Sequence, residues 1–124
     1  MGHVSVDIVL RGEKGTRALS GILVDTGATY TALPPALLEQ VGAYKASATM
    51  DVELADGRMV PASVYYVAIA VDGREAPAIV VAFEGAKEVV GVQTLESLGL
   101  KPNPDTGKLE PTRPKGVAYL YLLY

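Results

Sequence analysis

The apolar run Ile22-Leu23-Val24 leads without a break into Asp25-Thr26-Gly27. A carboxylate at the end of a buried strand is costly unless something pairs with it, so this junction restricts the fold more than any other stretch. It demands a strand that ends inside the molecule, beside a group able to hold the aspartate. A second Asp-Thr-Gly, at residues 105 to 107, means that the tripeptide alone decides nothing. There Lys101, Pro102, Asn103 and Pro104 precede and Lys108 follows, which describes a solvated turn where aspartate and glycine serve backbone geometry. At Asp25 the preceding residues are apolar, and Ala28 and another β-like run follow. The plain alternative is a hairpin whose aspartate bonds its own backbone.

The rest of the chain reads as short strands around that junction. Val4, Val6, Ile8 and Leu10 share one face and Ser5, Asp7 and Val9 the other, which predicts a half-buried strand over 4–10. The segment RGEKGT reverses the chain, and residues 17–24 return as a second strand. TYTAL, residues 29–33, suits a short strand, and PPALLEQVG suits a helix begun by Pro34 and Pro35 and capped by Gly42. Residues 49–83 hold three apolar runs turned at Asp56-Gly57 and Asp72-Gly73, a three-strand meander. Val89-Val90-Gly91 reads as a short buried strand leading into a helix capped by Thr94 and closed by Gly99. Residues 101–116 read as turns, and VAYLYLLY, residues 117–124, as a last apolar strand.

Composition narrows the function. With 124 residues, 49% hydrophobic and 20% charged, the chain suits one globular domain over 1–124, and 13 glycines with 8 prolines favour many turns and a β-rich fold. The net charge of -3 and the lack of a basic run argue against nucleic acid as a partner. There is no cysteine, and His3 is the only histidine, so neither disulfides nor a metal site is expected, since metals need several converging donors. No cofactor is expected. Apolar stretches such as Val64 to Val71 fall well short of the ~18 residues of a membrane helix. MGHVSVDIVLRGEK carries Asp7 inside its apolar part and does not look like a secretory signal, so no membrane partner and a cytoplasmic location are expected.

LVDTGATYTALPP, a hairpin around LADGR and VVG followed by a helix come in an order that resembles the retropepsin-like family of retroviral-type, single-domain aspartic proteases (clan AA), from about residue 4 to 100. The resemblance implies an all-β, mainly antiparallel fold with one or two short helices: a closed acid-protease barrel, one lobe per chain, working as a homodimer. It implies Asp25 as the catalytic residue, with Thr26, Gly27 and Ala28 as its fixed companions and Val89, Val90 and Gly91 packed beneath them. It also implies a peptide or protein substrate and a flap whose tip would be Ala55, Asp56 and Gly57. Each Thr26 hydroxyl would bond the opposite loop, and the apolar tail would lie in the dimer interface.

Ala28 differs from other aspartic proteases, and the flap tip and Val92-Gln93 depart from the retroviral pattern. Ala28 stands where other aspartic proteases carry serine, so a donor to the ionised carboxylate is lost and activity is expected to reach closer to neutral pH. The flap tip has one glycine and two charges. Val92-Gln93 replaces an arginine followed by aspartate or asparagine, which removes a supporting polar contact. Two other readings compete with the endopeptidase: a non-catalytic peptide-binding or assembly module on the same fold, and an unrelated small β-barrel in which Asp25 is an exposed turn residue of a monomer.

Overall fold

The computed structural model describes residues 3–121. Strands β1 (Ser5–Gly12) and β2 (Gly15–Val24) pair antiparallel across the Glu13-Lys14 turn. The period-two face is real: Val4, Ile8 and Leu10 are buried and Val6 half-buried. The register slips at Asp7, where Ser20 and Gly21 together face one residue. Gly21 adopts φ +66 there and its amide donates to Asp7 Oδ1 at 2.9 Å, so a strand-interior carboxylate becomes a backbone partner at a bulge.

Next come β3 (Thr31–Leu33) and helix α1 (Pro35–Val41). The helix ends on Gly42 at φ 72, whose amide donates to Glu39 O at 3.1 Å while Ala43 N donates to Leu38 O at 2.9 Å. The first hairpin closes on the same helix end, with Lys14 N donating to Val41 O at 2.9 Å. A Cβ on Gly12 would collide with that carbonyl, which is why the close approach needs glycine.

The meander is β4 (Tyr44–Glu53), β5 (Met59–Val71) and β6 (Arg74–Ala82), turning at Asp56-Gly57 and Asp72-Gly73 as expected. Strand β5 organises the sheet. One edge takes β6 along Ser63–Val71, and the other takes β4 over its first part and β1 over Ala68–Ala70. The short β7 (Val89–Val90) sits parallel to β2 and antiparallel to β3, and β3 is parallel to β6. The order β1-β2-β7-β3-β6-β5 therefore returns to β1 as a ring, with β4 on the outside. With α2 (Val92–Leu98) as the second short helix, the chain is mainly β with a ring-like mixed sheet, consistent with an acid-protease fold.

Ile8, Leu10, Leu33, Ile69, Val80 and Val90 fill the ring, none more than 1% exposed. Each such side chain contributes roughly 1.5–3 kcal/mol by leaving water. Tyr65 is buried among them, and its hydroxyl donates to Glu39 Oε2, tying α1 to β5. Burial first, and then the Glu39 carboxylate, push its phenol up to about 12. Ahead of its pairing with β3 at Val80–Ala82, the same edge of β6 is closed to further strands: Pro77 has no amide to offer, and the Ile79 amide donates to Gln93 Oε1 at 2.9 Å.

Three expectations need correction. Residues 101–116 contain more than turns, because β8 (Leu100–Asn103) and β9 (Lys108–Pro111) form a separate hairpin. The second Asp-Thr-Gly is its exposed turn, with Gly107 N donating to Asn103 O at 2.9 Å. Pro102 and Pro111 hide the hairpin from a local reading, yet a two-stranded ribbon leaves one edge of each strand where a missing amide costs nothing. Thr94 does not cap α2; Gly91 stands at that cap and Thr94 lies buried inside the helix. Residues 117–121 form no strand and are exposed, Leu120 at 81% and Tyr121 at 79%, because among the described residues no strand edge receives them. The remainder of that expected strand, residues 122–124, lies outside the described residues. Among the described residues no helix is long and apolar enough to cross a membrane.

Candidate active site

Strand β2 delivers Asp25 to the point where three elements meet. Leu23 and Val24 pair with Val89 and Val90 of β7, and the next amide, that of Asp25, donates to Val90 O at 2.9 Å. The chain then turns sharply, with Ala28 N donating to Asp25 O at 3.1 Å and Gly27 N to Asp25 Oδ1 at 2.9 Å. A Cβ on Gly27 would lie 3.1 Å from that carboxylate oxygen, so glycine keeps the carboxylate uncrowded. Asp25 is half-buried, Thr26 and Gly27 are exposed, and Ala28 is half-buried. The turn-aspartate reading is thus correct about the local bonding, while the tie to β7 is what an ordinary surface hairpin would lack.

The loop is held from beneath by α2. Val92 N donates to Ala28 O at 2.8 Å and Gln93 N to Thr29 O at 2.9 Å. Gly91 packs so tightly that a Cβ would collide with the carbonyl group of Tyr30 and come 2.8 Å from Ala28 O. Its amide donates to Thr31 Oγ1 at 3.1 Å, and Thr31 Oγ1 lies 2.6 Å from Thr94 Oγ1. Val89, Val90 and Gly91 therefore do sit under the Asp25 loop. Thr31 and Thr94 belong to the same hydrogen-bonded assembly, which the sequence reading did not include, although a β-branched hydroxyl on each side of the loop was the available signal.

Gln93 corrects the expected loss of support after VVG. Besides accepting from Ile79 N, it donates through Nε2 to Ser97 Oγ at 2.9 Å and to Pro77 O at 3.4 Å. A polar contact to β6 takes the place of the expected one.

Ala55, Asp56 and Gly57 lie at the exposed tip between β4 and β5. Strand β6 pairs with β5 only as far as Ser63, so Asp51 to Pro61 project as a two-stranded arm, a form that is marginal in water on its own. The tip is closed by Leu54 N donating to Arg58 O at 2.8 Å and by Gly57 N donating to Leu54 O at 2.9 Å. Asp56 accepts from Arg58 N at 3.0 Å and from Arg58 Nε at 2.7 Å. Those bonds, the backbone one first, hold the Asp56 carboxyl below its usual 3.8.

Among the described residues the ion pairs are Arg11–Glu75 and Arg58–Asp56, and neither touches Asp25. Two surface depressions, of about 560 and 340 Å³, are lined by residues such as Gly12, Tyr44 and Tyr66 in one and Gly73, Arg113 and Pro114 in the other. Neither includes any residue from Asp25 to Ala28, so volume alone would direct attention away from the aspartate. Chemistry directs it back. A family model described as aspartyl protease matches residues 14–92, more than half of the chain.

The chain belongs to the aspartyl protease family. The matched span takes in the Asp25 loop, the β4–β5 arm and β7, and stops at the first residue of α2. The β8–β9 hairpin and the tail lie beyond it. A comparison with curated proteins finds no match.

Proposed function

We propose that this aspartyl protease is a homodimeric aspartic endopeptidase whose site is completed by a second copy, with Asp25 from each chain forming the catalytic pair. The observation that carries the proposal is the placement of Asp25: anchored through its amide to Val90, half-exposed, and flanked by exposed Thr26 and Gly27 on an open face. A carboxylate held by its backbone, left half-exposed among the described residues, is suited to be half of a site. A two-fold axis beside the loop brings the second half, the commonest way for soluble chains to associate.

Two carboxylates in contact cannot both ionise cheaply, so the pair holds one proton between them, as aspartic-protease dyads do. The ionised member takes a proton from a water lying between the two while the protonated member hydrogen-bonds the scissile carbonyl. Water attacks that carbon directly, and no acyl-enzyme forms. In this reading the Thr26 hydroxyl donates across the axis, and Gly27 leaves room for substrate backbone. The β4–β5 arm, with Ala55, Asp56 and Gly57 at its tip, is the proposed flap that closes over a bound peptide and excludes water.

The test is cleavage of a broad peptide library across pH, with and without a statine-type inhibitor, by the native protein and by Asp25→Asn. Cleavage that the inhibitor blocks and the variant lacks supports the endopeptidase. Peptide binding without cleavage in both proteins would favour the non-catalytic module, and equal cleavage by both would exclude Asp25 from the chemistry.

A further inference from the structure

Tyr65 apart, the buried side chains that carry a polar group among the described residues are Thr31 at 0% and Thr94 at 1% exposed, and they touch each other under the Asp25 loop. We propose that this hydroxyl pair is a positioning device for Asp25, an inference that rests on the catalytic reading of that residue.

The peptide group joining Val90 to Gly91 is held at both ends. Its carbonyl accepts the Asp25 amide at 2.9 Å, and its N–H donates to Thr31 Oγ1 at 3.1 Å. Thr31 in turn lies 2.6 Å from Thr94 Oγ1. Thr31 Oγ1 accepts from Gly91 N and shares a second hydrogen bond with Thr94 Oγ1, in which either hydroxyl can donate, so the three groups form one chain in which each bond polarises the next. Thr31 opens β3, the strand onto which the loop descends, and Thr94 belongs to α2, whose first amides hold Ala28 O and Thr29 O. The pair therefore joins the two elements that bracket the loop, and it fixes the plane of the one peptide that anchors Asp25.

Apolar side chains would fill the same volume without polar atoms to satisfy. Valine has the shape of threonine and lacks the hydroxyl. At position 31 it would leave the Gly91 amide, itself buried, without its acceptor. The peptide would turn to find another partner, and the Asp25 anchor would turn with it.

The experiment compares Thr31→Val, Thr31→Ser, Thr94→Val and Thr94→Ser by backbone amide hydrogen exchange and by peptide cleavage. In Thr31→Val, exchange at Asp25 and Gly91 is expected to rise about tenfold more than at the core amide of Ile69, and kcat to fall about tenfold with KM nearly unchanged. The serine variants, which keep the hydroxyl, retain both properties. Exchange that rises equally at Asp25 and Ile69, serine variants as impaired as the valine ones, or a valine variant with full kcat would each overturn the proposal. If Thr31→Val does not fold, Thr94→Val is read instead: it keeps the acceptor for Gly91 but removes the hydroxyl that holds Thr31, so exchange at Asp25 and Gly91 is expected to rise about threefold more than at Ile69, and an equal rise would overturn the proposal. Exchange needs no turnover, so a native protein that cleaves nothing would end the endopeptidase reading while the exchange comparison still decides whether the pair positions Asp25.

Discussion

Asp25 and Val90 are joined by one backbone hydrogen bond of 2.9 Å, the last rung between β2 and β7 and the first bond of the acidic loop. A strand pairing thereby becomes the foundation of a turn. The aspartate that looked expensive at the end of an apolar run reaches only the rim of the ring, where it is half-exposed and bonded by Gly27 N.

Gly91 is the residue on which that foundation is least forgiving. In Gly91→Ala the new methyl meets the Tyr30 carbonyl and lies 2.8 Å from Ala28 O, both backbone atoms that cannot swing aside. The substitution is expected to destabilise the fold by about 3 kcal/mol, the upper part of the usual overpacking range, as read by urea unfolding. A loss below about 1 kcal/mol would mean that the loop yields easily.

Tyr65 makes stability sensitive to alkali. Its phenol is raised from 10.0 to about 12 in the folded chain, so its contribution is complete below pH 10. It is lost as pH rises from 10 through about 12, because the unfolded chain releases the proton first. Unfolding titrations should show a steeper alkaline decline in the native protein than in Tyr65→Phe. Parallel curves would contradict the burial of this hydroxyl.

At the tip of the β4–β5 arm the sign is reversed. The Asp56 carboxyl is held below 3.8, so its bonds to Arg58 are intact above that value and are lost as pH falls through the lower folded value. Both partners are more than half exposed, so global stability should hardly change. The Arg58 amide signal is expected to shift in that acid range and not to titrate in Asp56→Asn. A shift that survives the substitution would assign it to another group.

The tail supplies a further test of association. Val117, Tyr119, Leu120 and Tyr121 are all exposed, a run of apolar surface that seeks cover. Ending the chain after Lys115 is expected to give a monomer without activity in sedimentation and cleavage assays. An active dimer from the shortened chain would remove the tail from the interface.

What the amino-acid order discloses depends on whether the cause is local. The alternation of Val4, Ile8 and Leu10, the Gly42 stop and the Asp72-Gly73 turn act within a few residues, and each is legible. Val89-Val90-Gly91 is legible too, since two apolar residues and a glycine before a helix leave few alternatives. The role of Thr94 is not, because a hydroxyl near a helix start fits a cap as well as a buried bond, and only the arrival of Thr31 from 63 residues away decides between them. The β8–β9 hairpin was hidden by its own prolines, and the tail misled because apolar β-formers make a strand only where another edge receives them.

The central claim is that two chains each give one Asp25 to a single site, and mixed dimers test it most directly. Native protein and Asp25→Asn are unfolded together, refolded at equal amounts and assayed against native protein at the same total concentration. Paired sites predict activity near about a quarter of the native value, because only dimers of two native chains work. Activity near about a half would mean that each chain acts alone, and would contradict the account.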